Sequence, residues 1–294
     1  ILAYASAYLK VHRAPEFFAS LINNQPMGFY TPATIVKDAQ RHGVKAKPVC
    51  VKKSDWRCTV LDDNTFRLGF CVVNGLRQEH GEQIERTRQD RQFASLEDFK
   101  RRVSVSKEEL RTLAELGALN CFAKHRRAAM WKVEETIHDD LLGDTCAPLN
   151  GESPLLPMMV QERVTADYQT MNLTTGPHPM KLLREKLPNI WRAIDLQQAK
   201  NGSTIQIAGN VICRQRPGTA KGFVFVSLED ETGVSNAIVD PDLFERFRLL
   251  ITEEDFLLIE GEVQNSENVV LIKTYDIKPL GHDELVGSES HDFR

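Results

Sequence analysis

The last third of the chain carries an order of predicted elements that few folds accommodate. Apolar runs and alternation predict strands over residues 205–211, 223–228 and 235–239, a short helix over 241–250, and strands over 256–263 and 269–277. Three strands, one helix and two strands within about 80 residues is the order of a five-stranded OB-fold β-barrel. The sequence therefore predicts a barrel that binds single-stranded nucleic acid.

Cations and aromatic side chains fall where OB folds bind single strands, which is on strands 2 and 3 and on the loops after strands 1 and 4. Phe223 and Phe225 share one face of strand 2, and Val224, Val226 and Leu228 share the other. If the valine face is buried, the phenylalanines are exposed platforms for base stacking; if they form the core, that interpretation fails. The candidate DNA-binding residues of the barrel are Arg214, Arg216, Lys221, Phe223 and Phe225.

The N-terminal part is predicted to be mainly helical. Helical spacing covers residues 1–47, residues 48–73 suit short strands and turns with a half-buried strand at 66–70, and helix returns over 74–137. Ser95 with Asp98, and Ser106 with Glu109, have the spacing of helix caps. Glycine and proline concentrate over 138–160, as in a linker. The fold class is thus multidomain α plus β, with helical domains before the barrel.

Two turns in the helical part are candidates for holding DNA phosphates as helix-hairpin-helix elements. A glycine lets the backbone turn so that N–H groups at the next helix's N-terminus face outward and bind phosphate without reading the base. Arg77 stands where the usual hairpin has a second glycine, which weakens the backbone site but adds a guanidinium. Both turns also suit ordinary helical turns packed on a core. The candidates are Asn74, Gly75, Leu76 and Arg77 at the first turn, and Gly117, Lys124, Arg126 and Arg127 at the second.

Other basic and acidic side chains have less specific roles. Arg86, Arg88, Arg91, Arg101 and Arg102 could add nonspecific phosphate contacts or form a solvated face. The acids of residues 229–231 suit turn chemistry better than metal binding, and His178 between two prolines suits a turn-fixing role. No constellation of paired aspartates is visible, so the sequence predicts no catalytic residue and no metal site in this chain.

The charge distribution and the spacing of the cysteines limit which classes of protein the chain can belong to. The net charge of −4 does not by itself favour a nucleic-acid partner, but residues 1–60 hold nine Lys/Arg against three Asp/Glu, which predicts a basic N-terminal surface or a patchwork of solvated faces. The six cysteines lack zinc or disulfide spacing, and neither a membrane span nor a secretory segment is visible. We expect reduced thiols in a cytoplasmic protein. Ile1 is neither Met nor preceded by a cap, which suggests a piece of a longer protein.

Stretches along nearly the whole chain resemble the C-family bacterial DNA polymerases, in their error-prone, damage-inducible branch. The two proline-rich stretches are the most specific, namely Gln25-Pro26-Met27-Gly28-Phe29-Tyr30-Thr31-Pro32 and Gly176-Pro177-His178-Pro179-Met180. The first, with residues 38–44, resembles the end of the fingers. The second lies in residues 167–180, which resemble the helical segment before the barrel. Two further stretches resemble the tandem hairpin domain (93–127) and the barrel's second strand and turn (221–233).

This resemblance implies a domain order. Residues 1–60 would end the fingers, 61–137 would form a tandem helix-hairpin-helix domain, and 138–165 a linker. Residues 166–200 would form a helical connection, 201–281 the OB-fold domain and 282–294 a flexible tail. Candidate fingers contacts to template or nucleotide are Lys10, Arg13, Arg41 and His42.

The resemblance also implies a function. The full-length protein would be a DNA-directed DNA polymerase acting in damage-induced translesion synthesis and DNA repair, and accessory mutagenesis proteins would recruit it to the sliding clamp. Its Mg²⁺-binding aspartates would lie in an upstream palm domain, so this chain alone would need no cofactor and would be inactive. Within the chain, the hairpins would hold the primer-template duplex and the barrel the single-stranded template.

Two alternatives stay open at this point. One is a noncatalytic protein that binds single-stranded nucleic acid, complete as written; the uncapped Ile1 argues against it. The other is the RNA-binding OB module of a synthetase. Against that alternative, no synthetase active-site motif is visible, and the fingers-like and hairpin-like segments have no place in a synthetase.

Overall fold

A computed structural model of the chain describes residues 1–28, 30–134, 153–266, 269–280, 287 and 291–293. They form two compact units, one of residues 1–25 and 43–171 and one of residues 26–42 and 172–294. Residues 138–152 of the predicted linker, with Cys146, lie outside the described part, as does most of the predicted tail. In the described ranges, no helix has the length and apolar character required to cross a membrane.

The first unit is helical around a small sheet. Its strands β1, β2 and β3 form a sheet of order β1-β3-β2, in which β1 runs parallel and β2 antiparallel to β3. The strands are β1 (Lys45–Lys47), β2 (Thr59–Asp62) and β3 (Thr65–Arg67). The helices are α1 (Leu2–His12), α2 (Ala14–Asn23), α4 (Gln78–Asp90), α5 (Leu96–Arg102), α6 (Lys107–Glu115), α7 (Arg126–Glu134) and α8 (Val160–Met171), where α3 is left for the second unit.

Side-chain caps fix where two of these helices begin, as the sequence predicts. Ser95 Oγ accepts the Asp98 N–H at 3.1 Å at the start of α5. At the start of α6, Ser106 and Glu109 form a full capping box, with Ser106 Oγ accepting the Glu109 N–H at 3.2 Å and Glu109 accepting the Ser106 N–H at 2.8 Å. These caps satisfy backbone donors that a helix start leaves unpaired.

The predicted strand over 66–70 is shorter in the structure. β3 ends at Arg67, and a 3₁₀ turn covers Phe70–Val72. A Cβ on Gly69 would lie 2.3 Å from the Arg57 carbonyl carbon, so the chain leaves the sheet where it crosses another backbone. Phe66, Leu68 and Phe70 are all fully buried nonetheless, because the turn keeps them on the core side.

The second unit contains the barrel. Its strands are β4 (Thr204–Gln215), β5 (Val224–Glu229), β6 (Val234–Val239), β7 (Phe256–Ser266), β8 (Val269–Pro279) and β9 (His291–Phe293). Its helices are α3 (Pro32–Arg41), α9 (Pro179–Leu183) and α10 (Pro241–Glu253). The predicted order of strands and helix is confirmed, with β9 as an addition.

β4 closes the barrel because it pairs with both β5 and β7. The circuit continues from β5 to β6, from β6 to β8 in parallel, and from β8 back to β7. A register shift falls between Glu260 and Gly261, where a Cβ on Gly261 would lie 2.2 Å from the Lys273 carbonyl oxygen. A glycine at such a corner lets the sheet curve enough to close. The five-stranded OB-fold barrel predicted from the sequence is therefore confirmed.

The valine face of strand β5 is the core face. Val224, Val226 and Leu228 are buried, whereas Phe223 is exposed and Phe225 is half-buried. The helix α10 begins at the Asp240 cap, whose Oδ1 accepts the Leu243 N–H at 2.8 Å, and it adds buried apolar side chains to the same core. The valine face is thus buried, which is the condition stated above for the phenylalanines to lie outside the core.

Candidate nucleic-acid interface

The first hairpin turn lies at the surface just before α4. Gly75 has φ +76° and open space where a side chain would stand, so the turn uses a conformation that favours glycine. Asn74, Gly75 and Arg77 are exposed, whereas Leu76 is buried and fastens the turn to the core. The turn thus presents a backbone loop and one guanidinium to solvent.

The protein itself uses most of the amides in this turn. The Asn74 N–H donates to the Thr170 carbonyl at 2.8 Å, and the Leu76 N–H to the Val73 carbonyl at 3.4 Å. The Arg77 N–H donates to Glu109 Oε1 at 3.0 Å. In the ranges that the structure describes, the amides of Gly75, Gln78 and Glu79 donate no hydrogen bond. A phosphate would meet these outer amides and the Arg77 side chain.

Glu109 places the protein's own anion at the N-terminus of α4. It is buried, and its carboxylate accepts from the Arg77 and Ser106 amides and lies 2.8 Å from His80 Nδ1. Burial would raise the pKa of Glu109, but the two amides and His80 outweigh it and hold that pKa at about 2. The Glu109 carboxylate therefore already neutralises part of the partial positive charge at the N-terminus of α4.

The second turn is a helix C-terminus. Gly117 has φ +90°, its N–H donates to the Ala114 carbonyl at 3.0 Å, and the Ala118 N–H donates to the Leu113 carbonyl at 2.9 Å. This pair of bonds is a Schellman motif, which uses amides to satisfy the last carbonyls of α6. Leu116, Ala118 and Leu119 are buried. The backbone N–H groups of Gly117 and Ala118 are therefore used in hydrogen bonds to α6.

The arginines after the second turn bind acids of α8. Arg126 NH1 lies 2.7 Å from Asp167 Oδ1, and Arg127 NH2 lies 2.6 Å from Glu162 Oε1. The Arg126 side chain is only 13% exposed and also donates to the Glu115 carbonyl. Lys124 is exposed and precedes both. Of these three predicted phosphate contacts, Arg126 is the one most occupied by the fold.

Two arginines proposed for nonspecific contacts are structural. Arg88 is buried, forms an ion pair with Asp55 and donates to the Ser54 and Val51 carbonyls. Arg102 donates to the Thr87 and Arg91 carbonyls. The spacing of Arg88 from Ile84 could have distinguished it from a phosphate-binding arginine. The two residues are four apart, which places both on the buried face of α4.

On the barrel, Phe225 lies in a row of side chains that crosses four strands. Successive Cα partners along this row are Gln215, Phe225, Ile238 and Lys273. Gln215 and Lys273 are exposed, and Phe225 and Ile238 are half-buried, so the row faces outward. An aromatic ring beside an aliphatic side chain and a lysine offers stacking and charge to a single strand. We call these four residues the outer row.

The end of β4 and the loop that follows it carry three cations, of which one is buried and two are exposed. Arg214 is buried, donates to the Ile251 and Glu254 carbonyls and pairs with Asp292 at 3.4 Å. A register shift between Val211 and Cys213 changes the alternation, which is why Arg214 falls on the core-facing side. Arg216 is exposed with its guanidinium 4.6 Å from the Phe244 ring centroid, and Lys221 is exposed in a left-handed conformation.

The predicted fingers residues of the second unit lie at the C-terminal end of α3, where Arg41 is the last helical residue and His42 follows it. Arg41 NH2 lies 2.7 Å from Glu229 Oε1, and the Glu229 side chain is only 2% exposed. Burial raises the pKa of Glu229 to about 7, against the opposing effect of Arg41. His42 Nδ1 lies 3.2 Å from Asp38 Oδ1. Arg41 is therefore engaged by the barrel's own carboxylate.

The remaining predicted fingers residues lie in the first unit. The Lys10 ammonium is 5.9 Å from the Phe18 ring centroid. Arg13 pairs with Glu16 at 3.5 Å and its side chain is 65% exposed. Lys10 is half-buried and Arg13 is exposed.

His178 and Asp230 have the turn roles that their sequence settings predict. The buried His178 accepts the Met180 N–H at 3.1 Å through Nδ1 and so begins α9. Asp230 Oδ1 accepts the amides of Thr232 and Gly233 at 2.7 and 2.9 Å. In the described part of the chain, no three His, Cys, Asp or Glu side chains come together as a metal site would require.

Comparison with protein families agrees with this layout. Residues 43–129 match a family model described as a helix-hairpin-helix motif. Residues 205–280 match one described as an OB-fold nucleic acid binding domain. An asparaginyl-tRNA synthetase from Pyrococcus horikoshii aligns with 34% of this chain and 24% of its own, at 18% identity and a TM-score of 0.29, and that likeness supports no conclusion.

Curated relatives match the chain from end to end. The whole chain is 38% identical to a part of the error-prone DNA polymerase of Anaeromyxobacter sp. (strain K), and 92% of it is 41% identical to a part of that of Bordetella parapertussis. The chain spans only about a quarter of these relatives, 27% and 26% of their lengths. For the part of those proteins that it spans, the resemblance of this chain to the error-prone DNA polymerases is confirmed.

Proposed function

We propose that this chain is the part of an error-prone, DNA-directed DNA polymerase that holds DNA. The first hairpin turn binds a phosphate of the primer-template duplex through Arg77 and the outer amides. The barrel binds the single-stranded template on the outer row and on the loop that carries Arg216 and Lys221. The observation that carries the proposal is the position of Phe225, half-buried outside the core and between Gln215 and Ile238, in a row that continues to Lys273.

Nucleotide transfer belongs to other parts of the full-length protein in this proposal. Two-metal phosphoryl transfer needs carboxylates that hold a pair of ions about 3.5–4 Å apart. The described residues bring no such group together. The Mg²⁺-binding palm would lie in the portion of the polymerase that this chain does not span, and the chain alone would bind DNA without extending it.

The biological setting is a further part of the proposal. The relatives are named error-prone DNA polymerases. We infer that the full-length protein copies damaged template during damage-induced synthesis and repair, and that accessory mutagenesis proteins recruit it to the sliding clamp. Primer extension past a template lesion by the full-length protein, with and without those accessory proteins, tests this setting.

Photocrosslinking tests the assignment of DNA strands to surfaces. A primer-template with 5-iodouracil in the single-stranded template should crosslink to peptides of β5, β6 or β8. The same reagent in the duplex should crosslink to the segment around Gly75 and Arg77. Crosslinks from the single strand that map only to α1 or α8 would contradict the assignment. Nucleotide incorporation by the purified chain would contradict the separate location of catalysis.

A further inference from the structure

In the first unit, residues 50–52 after β1 contact residues 118–122 at the second hairpin turn. The Val51 N–H donates to the Ala118 carbonyl at 3.1 Å. The Cys121 thiol donates to the same carbonyl with its Sγ at 3.8 Å, and the Lys52 ammonium lies 4.6 Å from the Phe122 ring centroid. The segment after β1 is therefore held along the segment that follows the second hairpin turn.

This pairing brings two thiols near each other. Cys50 precedes Val51, whose N–H donates to the same Ala118 carbonyl that the Cys121 thiol contacts; Cys121 is exposed and Cys50 is half-buried. Cys50 is held by its own turn, since its N–H donates to Ser54 Oγ at 3.0 Å and its carbonyl accepts the Ser54 N–H at 2.7 Å. Ser54 is fully buried. The sulfur pair is thus fixed in place and open to small solutes.

The surroundings of Cys50 favour its thiolate. The neighbouring Cys121 thiol is the largest influence, burial opposes it, and the Lys52 backbone N–H, Arg67 and Lys53 add to it, so the pKa of Cys50 falls to about 6. The same pairing raises the pKa of Cys121. Because the thiolate is the nucleophile, Cys50 would attack an oxidant and Cys121 would supply the second sulfur.

We propose that Cys50 and Cys121 form a reversible thiol–disulfide site that hydroperoxides oxidise. The disulfide would join the turn after β1 to the second hairpin turn. It would thus link the two ends of residues 50–121, which lie in the helix-hairpin-helix segment. This proposal is independent of the DNA-holding function, because it rests on the two turns and their sulfur atoms alone.

The chemistry balances with one peroxide for each disulfide. The Cys50 thiolate attacks a peroxide oxygen, the O–O bond breaks, and Cys50 becomes a sulfenic acid while hydroxide leaves and takes up the proton that Cys50 released. The Cys121 sulfur then attacks the Cys50 sulfur, the S–S bond forms and water leaves. The two sulfurs together lose two electrons, which reduce hydrogen peroxide to two waters.

The chain contains a second thiol pair that serves as an internal comparison. Cys58 and Cys71 also influence each other's pKa, but Cys58 is 5% exposed. Its Sγ accepts the Gly69 N–H at 3.3 Å, and the neighbouring Cys71 thiol and burial raise its pKa. The pKa of Cys71 is lowered and its side chain is half-buried, as at Cys50. The two pairs differ in the second thiol, which is buried in Cys58 and exposed in Cys121, so we expect the Cys50–Cys121 pair to be oxidised first.

Peptide mapping of the whole chain tests the proposal without any mutation. After limited treatment with hydrogen peroxide and alkylation of the remaining thiols, we expect a peptide pair joined through Cys50 and Cys121 that dithiothreitol separates. The peptides of Cys58 and Cys71 should stay alkylated. If Cys50 and Cys121 both remain alkylated while other thiols are consumed, or if each ends as a separate sulfinic acid, the proposal is wrong.

Two variants assign the roles of the sulfurs. In Cys121→Ser the second sulfur is absent, and dimedone should trap a sulfenic acid at Cys50. In Cys50→Ser the labelling at Cys121 should fall at least severalfold. Equal labelling of Cys121 in Cys50→Ser and of Cys50 in Cys121→Ser would overturn the assignment of the attacking thiol. A circular dichroism spectrum matching that of the unmodified chain confirms that each variant is folded.

Discussion

The Glu109 carboxylate accepts the backbone N–H of Arg77 at 3.0 Å, so an acid of α6 sits at the N-terminus of α4. A helix N-terminus normally attracts phosphate through its free amides and dipole. Here the fold supplies its own anion on the inner side of that terminus. A DNA phosphate would therefore bind on the outer side, where Gly75 turns and the Arg77 guanidinium reaches solvent.

Glu109→Gln should destabilise the first unit. The substitution removes the charge from a buried acceptor of two amides, and hydrogen bonds to charged groups contribute about 1.5–3 kcal/mol. We expect the free energy of unfolding, measured by urea denaturation, to fall by about 1–3 kcal/mol. Glu108→Gln, at an exposed neighbour in the same helical turn, is the control and should change it by less than about 0.5 kcal/mol. Equal effects of the two variants would show that Glu109 has no special role.

The low pKa of Glu109 also predicts an acid dependence of stability. Its folded pKa of about 2 is below its unfolded value of 4.5. The stabilisation is therefore complete above pH 4.5 and is lost as the pH falls from there towards 2. In urea titrations at several acidic pH values, Glu109→Gln should lose less stability over this window than the unmodified chain. Parallel curves for the two proteins would contradict the role of this carboxylate.

Arg77→Ala should weaken duplex binding. Loss of one phosphate contact should cost about 1 kcal/mol, roughly fivefold in the dissociation constant, and reduce the salt slope by about 1. Fluorescence anisotropy with a labelled duplex at several salt concentrations measures both. The control is Arg192→Ala, which removes an equal charge from an arginine paired with Asp195 in the other unit. If both variants weaken binding alike, only net charge matters and the hairpin assignment fails.

Sequence patterns predicted the barrel well and the use of individual arginines poorly. The alternation around Phe225 was enough to divide β5 into two faces, because strand side chains alternate strictly where the pairing is regular. Arg214 illustrates the limit. Its burial depends on the register shift between Val211 and Cys213, and a shift of pairing between strands leaves no mark in a single sequence.

The hairpin turns show a second limit of sequence analysis. Gly75 and Gly117 both have a positive φ, as their sequence settings suggest. What separates them is the destination of the neighbouring amides. Those of Gly117 and Ala118 donate to the nearby Ala114 and Leu113 carbonyls, whereas the Arg77 amide donates to Glu109, which is distant in sequence. The pairing of Arg126 with Asp167 is of the same kind. Local spacing identifies a tight turn but cannot tell a phosphate site from a helix C-terminus.

Phe225→Ala should reduce affinity for single strands and leave duplex affinity unchanged. Base–aromatic stacking contributes about 1–3 kcal/mol, so the dissociation constant for a single-stranded oligonucleotide should rise accordingly. The control is Leu249→Ala, a truncation of an apolar side chain on α10 that is 70% exposed. Unchanged single-strand binding in Phe225→Ala, measured by the same titration, would refute stacking on the outer row.

His178 should make the second unit sensitive to mild acid. Burial, Lys37, Arg41 and Arg184 hold its pKa well below 6.5, while Glu229 Oε2 lies 3.9 Å from its Nε2. Above pH 6.5 the imidazole is neutral in both states. Below it only the unfolded imidazole takes up a proton, so the free energy of unfolding falls by up to about 1.4 kcal/mol per pH unit.

The matched variant for this prediction is His178→Asn, which keeps an acceptor for the Met180 N–H but does not titrate. Glu229 is present in both proteins, so its own titration affects both. Between about pH 7.5 and about pH 5.5 the variant should lose roughly 1 kcal/mol less stability than the unmodified chain in urea denaturation. An identical loss in the two proteins would show that His178 does not control this response.

The central claim is that exposed cations and stacking, in place of bound metal, hold DNA on this chain. The most direct measurement is the dependence of the primer-template dissociation constant on salt concentration, in the presence of a chelator. With Arg77, Arg216, Lys221 and Lys273 each meeting one phosphate, a log–log plot of the association constant should be linear with a slope of about −3. A slope near zero, or binding that the chelator abolishes, would contradict the account.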